Sequence, residues 1–279
     1  MVKAAVAVEL LGAGLLLVAT AASCKPPSCN PSGRRLARPS ATPSLGMSAT
    51  VKSPSASAQT DTPISAASLY AIFYLPNGSN WSFPLSQGDA LHSHPDFDAD
   101  KNATVFFVPG YTVKPTAEGV RLAIKAFTTK HESFNFLLLD WTLYSGRPYV
   151  AAAMNMGQVA ELLAAWLERL RAGGLAAARM WLVGQSLGAH LAGKAAAAMA
   201  VRPARVTGLD PARPLFWFGS PLTRLDRRQA TFVDVIHTDG SWRGIGVRAN
   251  IGHQDFWPNY GAERQPGCHS GFSGAYGEG

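Results

Sequence analysis

The pentapeptide Gly184-Gln185-Ser186-Leu187-Gly188 constrains this chain more than any other stretch. It follows the apolar run Met180-Trp181-Leu182-Val183 and precedes the alanine-rich Ala189 to Ala200, so it stands where a strand hands over to a helix. A turn that sharp has no room for a Cβ at either flank, because strand and helix must approach closely; that is the work of the two glycines. The serine between them is held out above the sheet.

The surrounding sequence supports a serine-nucleophile reading. Arg205 to Leu209 reads as a short strand with Asp210 at its C-terminal end, and Pro211 stops it. Functional groups in open α/β sheets collect at the carboxyl ends of strands, and a serine followed later by an acid is the chain order of sites built on such elbows. An oxyanion hole needs the N–H of Leu187 and another from the loop after an earlier strand; Thr104 to Val108 followed by Pro109-Gly110-Tyr111 fits. Apolar strands are expected at Leu69 to Leu75, Thr104 to Val108, Asn135 to Leu139, Met180 to Val183, Val206 to Leu209 and Phe232 to Ile236. Helices are expected at Thr116 to Lys130, Val150 to Ala172 and Leu187 to Val201. That alternation implies an α/β fold, its mostly parallel sheet covered on both faces.

Seven separated blocks carry a wider likeness: FFVPGYT (Phe106 to Thr112), LLLDW (Leu137 to Trp141), VGQSLGAHLAG (Val183 to Gly193), TGLDPARP (Thr207 to Pro214), VDVIHTDG (Val233 to Gly240), GHQDFWPNYG (Gly252 to Gly261) and QPGC (Gln265 to Cys268). In these the chain resembles the pancreatic-lipase family of secreted α/β-hydrolases, with its arthropod lipases, phospholipases A1 and yolk-protein relatives. The likeness runs from Leu69 to Cys268 in family order. It implies a nucleophile at Ser186, a triad acid at Asp210, and oxyanion N–H groups at Tyr111 and Leu187. In that family the catalytic histidine lies beyond the lid, in a Cys-x-His motif after the QPGC block. No such motif follows Cys268, and the family partner of Cys268 across the lid is absent too. The expectation is an α/β-hydrolase fold whose C-terminal part is missing, cut inside the lid and without its last strand and helix.

Several other histidines are read without a catalytic role. His237 and His253 match positions the family carries besides its catalytic histidine, and His190 lies on the elbow helix as a packing or capping residue. His269 follows Cys268 without the motif, and His92 and His94 flank Pro95 with too few other ligands for a metal. Two positions depart from the family: Gln185 stands where relatives carry histidine or an aromatic, and Pro109 where many have histidine. The calcium ligands of some relatives have no counterpart, since Ser220 to Gln229 contains one carboxylate, Asp226, so no metal and no cofactor are expected.

The 279 residues, 47% hydrophobic and 15% charged, suffice for one substantial core. Residues 1–22 read as a signal peptide, with Lys3 before the apolar Leu10 to Val18 and small residues at Ala19 to Ala22. That stretch is short for a permanent span, so no integral membrane segment is expected after cleavage. Residues 23–66, rich in Ser, Pro, Ala and Thr, read as a disordered leader, and 67–279 as the incomplete hydrolase domain. Sequons at Asn77, Asn80 and Asn102 fit a secreted glycoprotein. Cys24 and Cys29 either pair in an oxidising compartment or do nothing structural. The net charge of +7 favours anionic surfaces, but the arginines are dispersed without an aromatic-interleaved stripe, which excludes nucleic acid. The aromatics Phe216, Trp217 and Phe218 serve either as an acyl-chain or interface contact or as core.

Two functional expectations follow. One is a secreted carboxylic-ester hydrolase acting on acylglycerols or phospholipids, with a lipid-water interface as its expected partner surface. The other is a catalytically inactive lipid-binding or storage-type relative.

Overall fold

Alternating apolar residues along the strands set two faces, and each face collects its own core. The computed structural model describes residues 7–10, 15–18, 63–130, 133–217 and 222–266. The chain divides into two units, Lys25–Pro63 and the remainder; the architecture below is that of the remainder. Near the N-terminus β1 (Ala7–Leu10) and β2 (Leu15–Val18) pair antiparallel in a sheet of their own. The main sheet has eight strands in the order β10-β9-β8-β7-β5-β6-β3-β4. They are β3 (Tyr70–Tyr74), β4 (Asn80–Pro84), β5 (Ala103–Val108), β6 (Phe134–Asp140), β7 (Met180–Gln185), β8 (Arg205–Leu209), β9 (Phe232–Ile236) and β10 (Gln254–Phe256). The pairs from β6 through β5, β7, β8 and β9 to β10 are parallel, while β3 runs antiparallel to both β4 and β6.

The helices are α1 (Glu118–Lys130), α2 (Thr142–Ser145), α3 (Tyr149–Ala172) and α4 (Leu187–Ala198). On one face Phe106, Val108, Leu137, Leu139 and Leu182 meet buried residues of α3 and α4. On the other, Val105, Phe107, Phe136, Leu138, Trp181 and Val183 meet Val120, Ala123 and Phe127 of α1. Side chains of successive strand residues point to opposite faces, so one strand feeds both cores. Helix α3 is long and apolar enough to cross a membrane, yet Ala152, Met156, Val159, Leu163, Trp166, Leu167 and Leu170 are buried in this core. Parallel strands buried on both faces read as continuous apolar runs, which is why β5, β6 and β7 were legible.

The six expected strands and three expected helices are present with ends shifted by a few residues, and the elbow helix stops at Ala198 rather than Val201. Two main-sheet strands were not expected. Edge strand β4 alternates exposed and buried positions too weakly to stand out, and β10 is three residues long. Asn77 and Asn102 lie on exposed loop positions, whereas Asn80 opens β4. Cys24, Cys29, Phe218, Cys268 and His269 lie outside the described residues.

An internal ion pair ties the middle of the sheet. Arg205 Nε donates to Asp234 Oδ1 over 2.9 Å and Thr207 Oγ1 to the same oxygen over 2.7 Å, with Trp181 Nε1 donating to Thr207 Oγ1 over 2.8 Å. The Arg205 guanidinium also lies 4.2 Å from the centre of the Trp181 ring. Asp234 is fully buried, so these partners are what make its charge tolerable there.

Candidate active site

Strand β7 ends at Gln185 and α4 begins at Leu187, leaving Ser186 alone to make the turn. It does so at φ 54° and ψ −118°. A left-handed backbone at a residue with a side chain costs about 1–3 kcal/mol and persists only where its surroundings hold it. Here Ser186 N donates to Leu209 O over 2.9 Å, and Ser186 O accepts from Ala189 N at 3.1 Å and Ala212 N at 3.3 Å. The flanking glycines are sterically required. A Cβ on Gly184 would lie 2.3 Å from Gly188 O, and one on Gly188 would lie 2.2 Å from Val108 O. Among the described residues no group hydrogen-bonds the Ser186 hydroxyl, which opens into a cavity.

The loop after β5 is fixed from two sides. Trp141 Nε1 donates to Pro109 O over 2.9 Å, and Gly110 N donates to Gln185 Oε1 over 3.1 Å. Gln185 is therefore a loop anchor, a role that residue type alone did not disclose. Tyr111 follows Gly110 in this loop, and α4 begins at Leu187, in the first turn of a helix, where N–H groups have no intrahelical partner. Tyr111 and Ser186 line one cavity of about 310 Å³ with Val113, Tyr149, Gln185, Ala212, Pro214 and Ile245. The lining is mostly apolar, as suits an acyl chain. The Tyr149 hydroxyl donates to Pro214 O over 3.0 Å and its ring meets Tyr111 edge-on at 5.2 Å, bracing the cavity wall; burial, then the neighbouring Tyr111, pushes that phenol up to about 12.

Strand β8 lies beside β7 with Leu209 opposite Gln185, so Asp210 stands one strand away from Ser186 at the same end of the sheet. Asp210 is also left-handed, at φ 47°, with its N–H donating to Ile236 O over 2.7 Å. Its Oδ1 accepts from Thr238 N at 3.1 Å and Asp239 N at 3.0 Å. Burial, then the charge of Asp239, pushes the carboxyl up to about 7 against the lowering effect of those N–H groups. Asp210 is partly buried, and in this setting a nearby cation would favour its ionised form.

None of the described histidines reaches Ser186 or Asp210. His190 Nδ1 accepts from Leu225 N at 3.0 Å while Nε2 donates to Ala212 O at 2.6 Å, which fixes a neutral tautomer; burial pushes it down to about 4. Its ring stacks 3.9 Å from Phe216, so Phe216 is core, while Trp217 is exposed. His237 is fully buried between Val247 O at 2.9 Å and Asp255 Oδ1 at 2.7 Å, its ring 3.8 Å from that of Trp257. His253 Nδ1 accepts from Val233 N at 3.0 Å. His92 meets Leu170 O at 3.0 Å, and His94 Nδ1 accepts from Asp96 N at 3.2 Å. Asp226, the lone carboxylate of its segment, caps a short turn by accepting from Arg228 N at 3.0 Å.

A serine elbow at the end of a central parallel strand, with an acid at the end of the next, on a sheet covered by helices on both faces, defines an α/β-hydrolase. Comparison with known proteins narrows the class. The family model "Lipase" matches residues 55–274, and the chain belongs to that family. It is 33% identical over 204 residues to pancreatic triacylglycerol lipase of Myocastor coypus, covering 71% of this chain and 44% of that protein. It is 42% identical over 144 residues to pancreatic triacylglycerol lipase of Homo sapiens, covering 50% of this chain and 31% of that one. It is also 37% identical over 169 residues to lipase member H-A of Xenopus laevis, covering 59% and 35%. The chain thus spans less than half the length of these relatives.

Proposed function

We propose that this chain carries the serine half of a lipase-like carboxylic-ester hydrolase site, acting on acylglycerols or phospholipids. The observation that carries the reading is the strained Ser186 on an apolar cavity, next to Asp210 across β7 and β8. Ser186 Oγ attacks the ester carbonyl, and the N–H groups of Tyr111 and Leu187 donate to the oxygen on which negative charge develops. Collapse of the tetrahedral intermediate releases the alcohol and leaves an acyl-serine, which water then hydrolyses. Asp210 orients a histidine that takes the Ser186 proton and returns it to the leaving alkoxide. The cavity holds the acyl chain.

A specific observation favours a second reading, a lipid-binding protein without turnover. Each described histidine is engaged away from Asp210, and a serine without its base loses orders of magnitude in rate. Export from the cell fits both readings and is supported by the N-terminal apolar stretch and the exposed Asn77, Asn80 and Asn102. The deciding experiment treats the full chain with a fluorophosphonate and follows p-nitrophenyl butyrate hydrolysis. Modification at Ser186 with turnover establishes the hydrolase; retention of long-chain lipid with neither establishes the binding protein.

A further inference from the structure

One peptide group stands between the segment after β10 and Asp210. Its N–H, that of Asp239, donates to Asp210 Oδ1 over 3.0 Å. Its carbonyl, that of Thr238, accepts from Gln265 Nε2 over 2.9 Å. The two bonds share one conjugated amide plane, so a donor on the oxygen draws electron density from the nitrogen and strengthens the hydrogen bond that the N–H donates on the far side. Gln265 is buried, and its side-chain nitrogen is ringed by three carbonyls: Thr238, Ala262 at 2.9 Å and Pro258 at 3.2 Å. Three acceptors determine the amide orientation, because the flipped group would set oxygen against oxygen three times.

We propose that Gln265 is a positioning residue for Asp210. Through the 238–239 peptide it aims and polarises the Asp239 N–H that holds the Asp210 carboxylate, and so couples the segment after β10 to the acid of the site. The role rests on the reading of Ser186 and Asp210 given above. The second N–H on Asp210, from Thr238 at 3.1 Å, belongs to the preceding peptide, and that side is clamped by the His237 ring on Val247 O and Asp255. Asp239 opposes the Asp210 charge, and His237 and His190 have both ring nitrogens engaged. Arg213 is held on Gly244 O, Arg248 on Ser241 O, and Arg243 is exposed.

The test is a carbon-13 NMR titration of the Asp210 carboxyl in the full chain, assigned with Asp210→Asn. Gln265→Met keeps the side-chain length and removes the donor; Gln265→Glu keeps the shape and adds a charge. Asn259→Gly is the control. Asn259 sits at φ 49° and its Nδ2 donates to Arg264 O over 2.8 Å, so glycine loosens the same segment without touching Thr238. The Asp210 midpoint is expected to rise by about 0.3–0.5 pH unit in Gln265→Met and further in Gln265→Glu, with Asn259→Gly unchanged. Should Gln265→Met fail to fold, Gln265→Glu decides alone. Midpoints within about 0.1 unit of the parent, or an equal shift in Asn259→Gly, make Gln265 a staple of its own turn and overturn the proposal. The titration needs no turnover, so loss of the hydrolase reading would appear separately, as absent fluorophosphonate labelling.

Discussion

Neutralising Asp210 should stabilise the fold, and by an amount that grows with pH. Its carboxyl is pushed from the ordinary 3.8 up to about 7 by burial and by Asp239. Below about pH 4 the group is protonated in both folded and unfolded chains. From there to about 7 the folded chain keeps a proton that the unfolded chain has lost, so stability falls as pH rises; above about 7 the folded carboxylate is ionised too and the whole cost is present. At 1.36 kcal/mol per unit the shift sets an upper bound of roughly 4 kcal/mol, and about 2.7 kcal/mol of it should develop between pH 5 and pH 8. Asp210→Asn removes the charge and keeps the oxygen that accepts from Thr238 N and Asp239 N. Thermal melts of both proteins at pH 5, 6, 7 and 8 should show the variant ahead at every pH, with its lead widening by about 5–11 °C across the range. A lead that stays flat, or narrows, would mean that Asp210 is not held in a dry, like-charged setting, and the electrostatic account of the site would be wrong.

Three further outcomes follow from geometry. Ser186→Gly should gain about 1 kcal/mol in a denaturant titration, because glycine adopts φ 54° without strain, while fluorophosphonate labelling disappears. Gly188→Ala should lose about 3 kcal/mol or more, since its Cβ would stand 2.2 Å from Val108 O and 2.5 Å from Pro109 O, backbone atoms that the sheet holds; a near-normal melt counts against the close approach. Arg205→Met should cost about 3–5 kcal/mol by stranding the buried Asp234, and Arg205→Met with Asp234→Leu should recover most of that loss. If the double variant in a urea titration is as unstable as the sum of the two singles, the pair is not coupled.

What the sequence determined by itself is local. The strand-turn-helix around Ser186 was legible because Gly184 and Gly188 are demanded by contacts within a few residues of each other and of β5, and buried parallel strands write themselves as unbroken apolar runs. Asp210 was legible because it ends such a run. The elbow pattern itself pointed to Leu187 and to the Pro109-Gly110-Tyr111 loop, and the family blocks singled out Tyr111 within it as an expectation. What only the tertiary structure decided is which polar groups meet. Gln185 departs by type from its relatives, and its role is set by Gly110, 75 residues away, which donates to it. Tyr149 begins a helix with no marker of a wall residue, and it reaches Pro214 across 65 positions. Gln265 bears on Asp210 through a peptide that neither residue is near in sequence. That the described histidines are engaged away from the site rests on partners such as Leu225, Ala212, Val247 and Asp255 that periodicity does not encode. Apolar pattern carries the fold because burial is additive along a strand or helix; a hydrogen bond is a meeting of two particular atoms, and only the folded chain brings them within 3 Å.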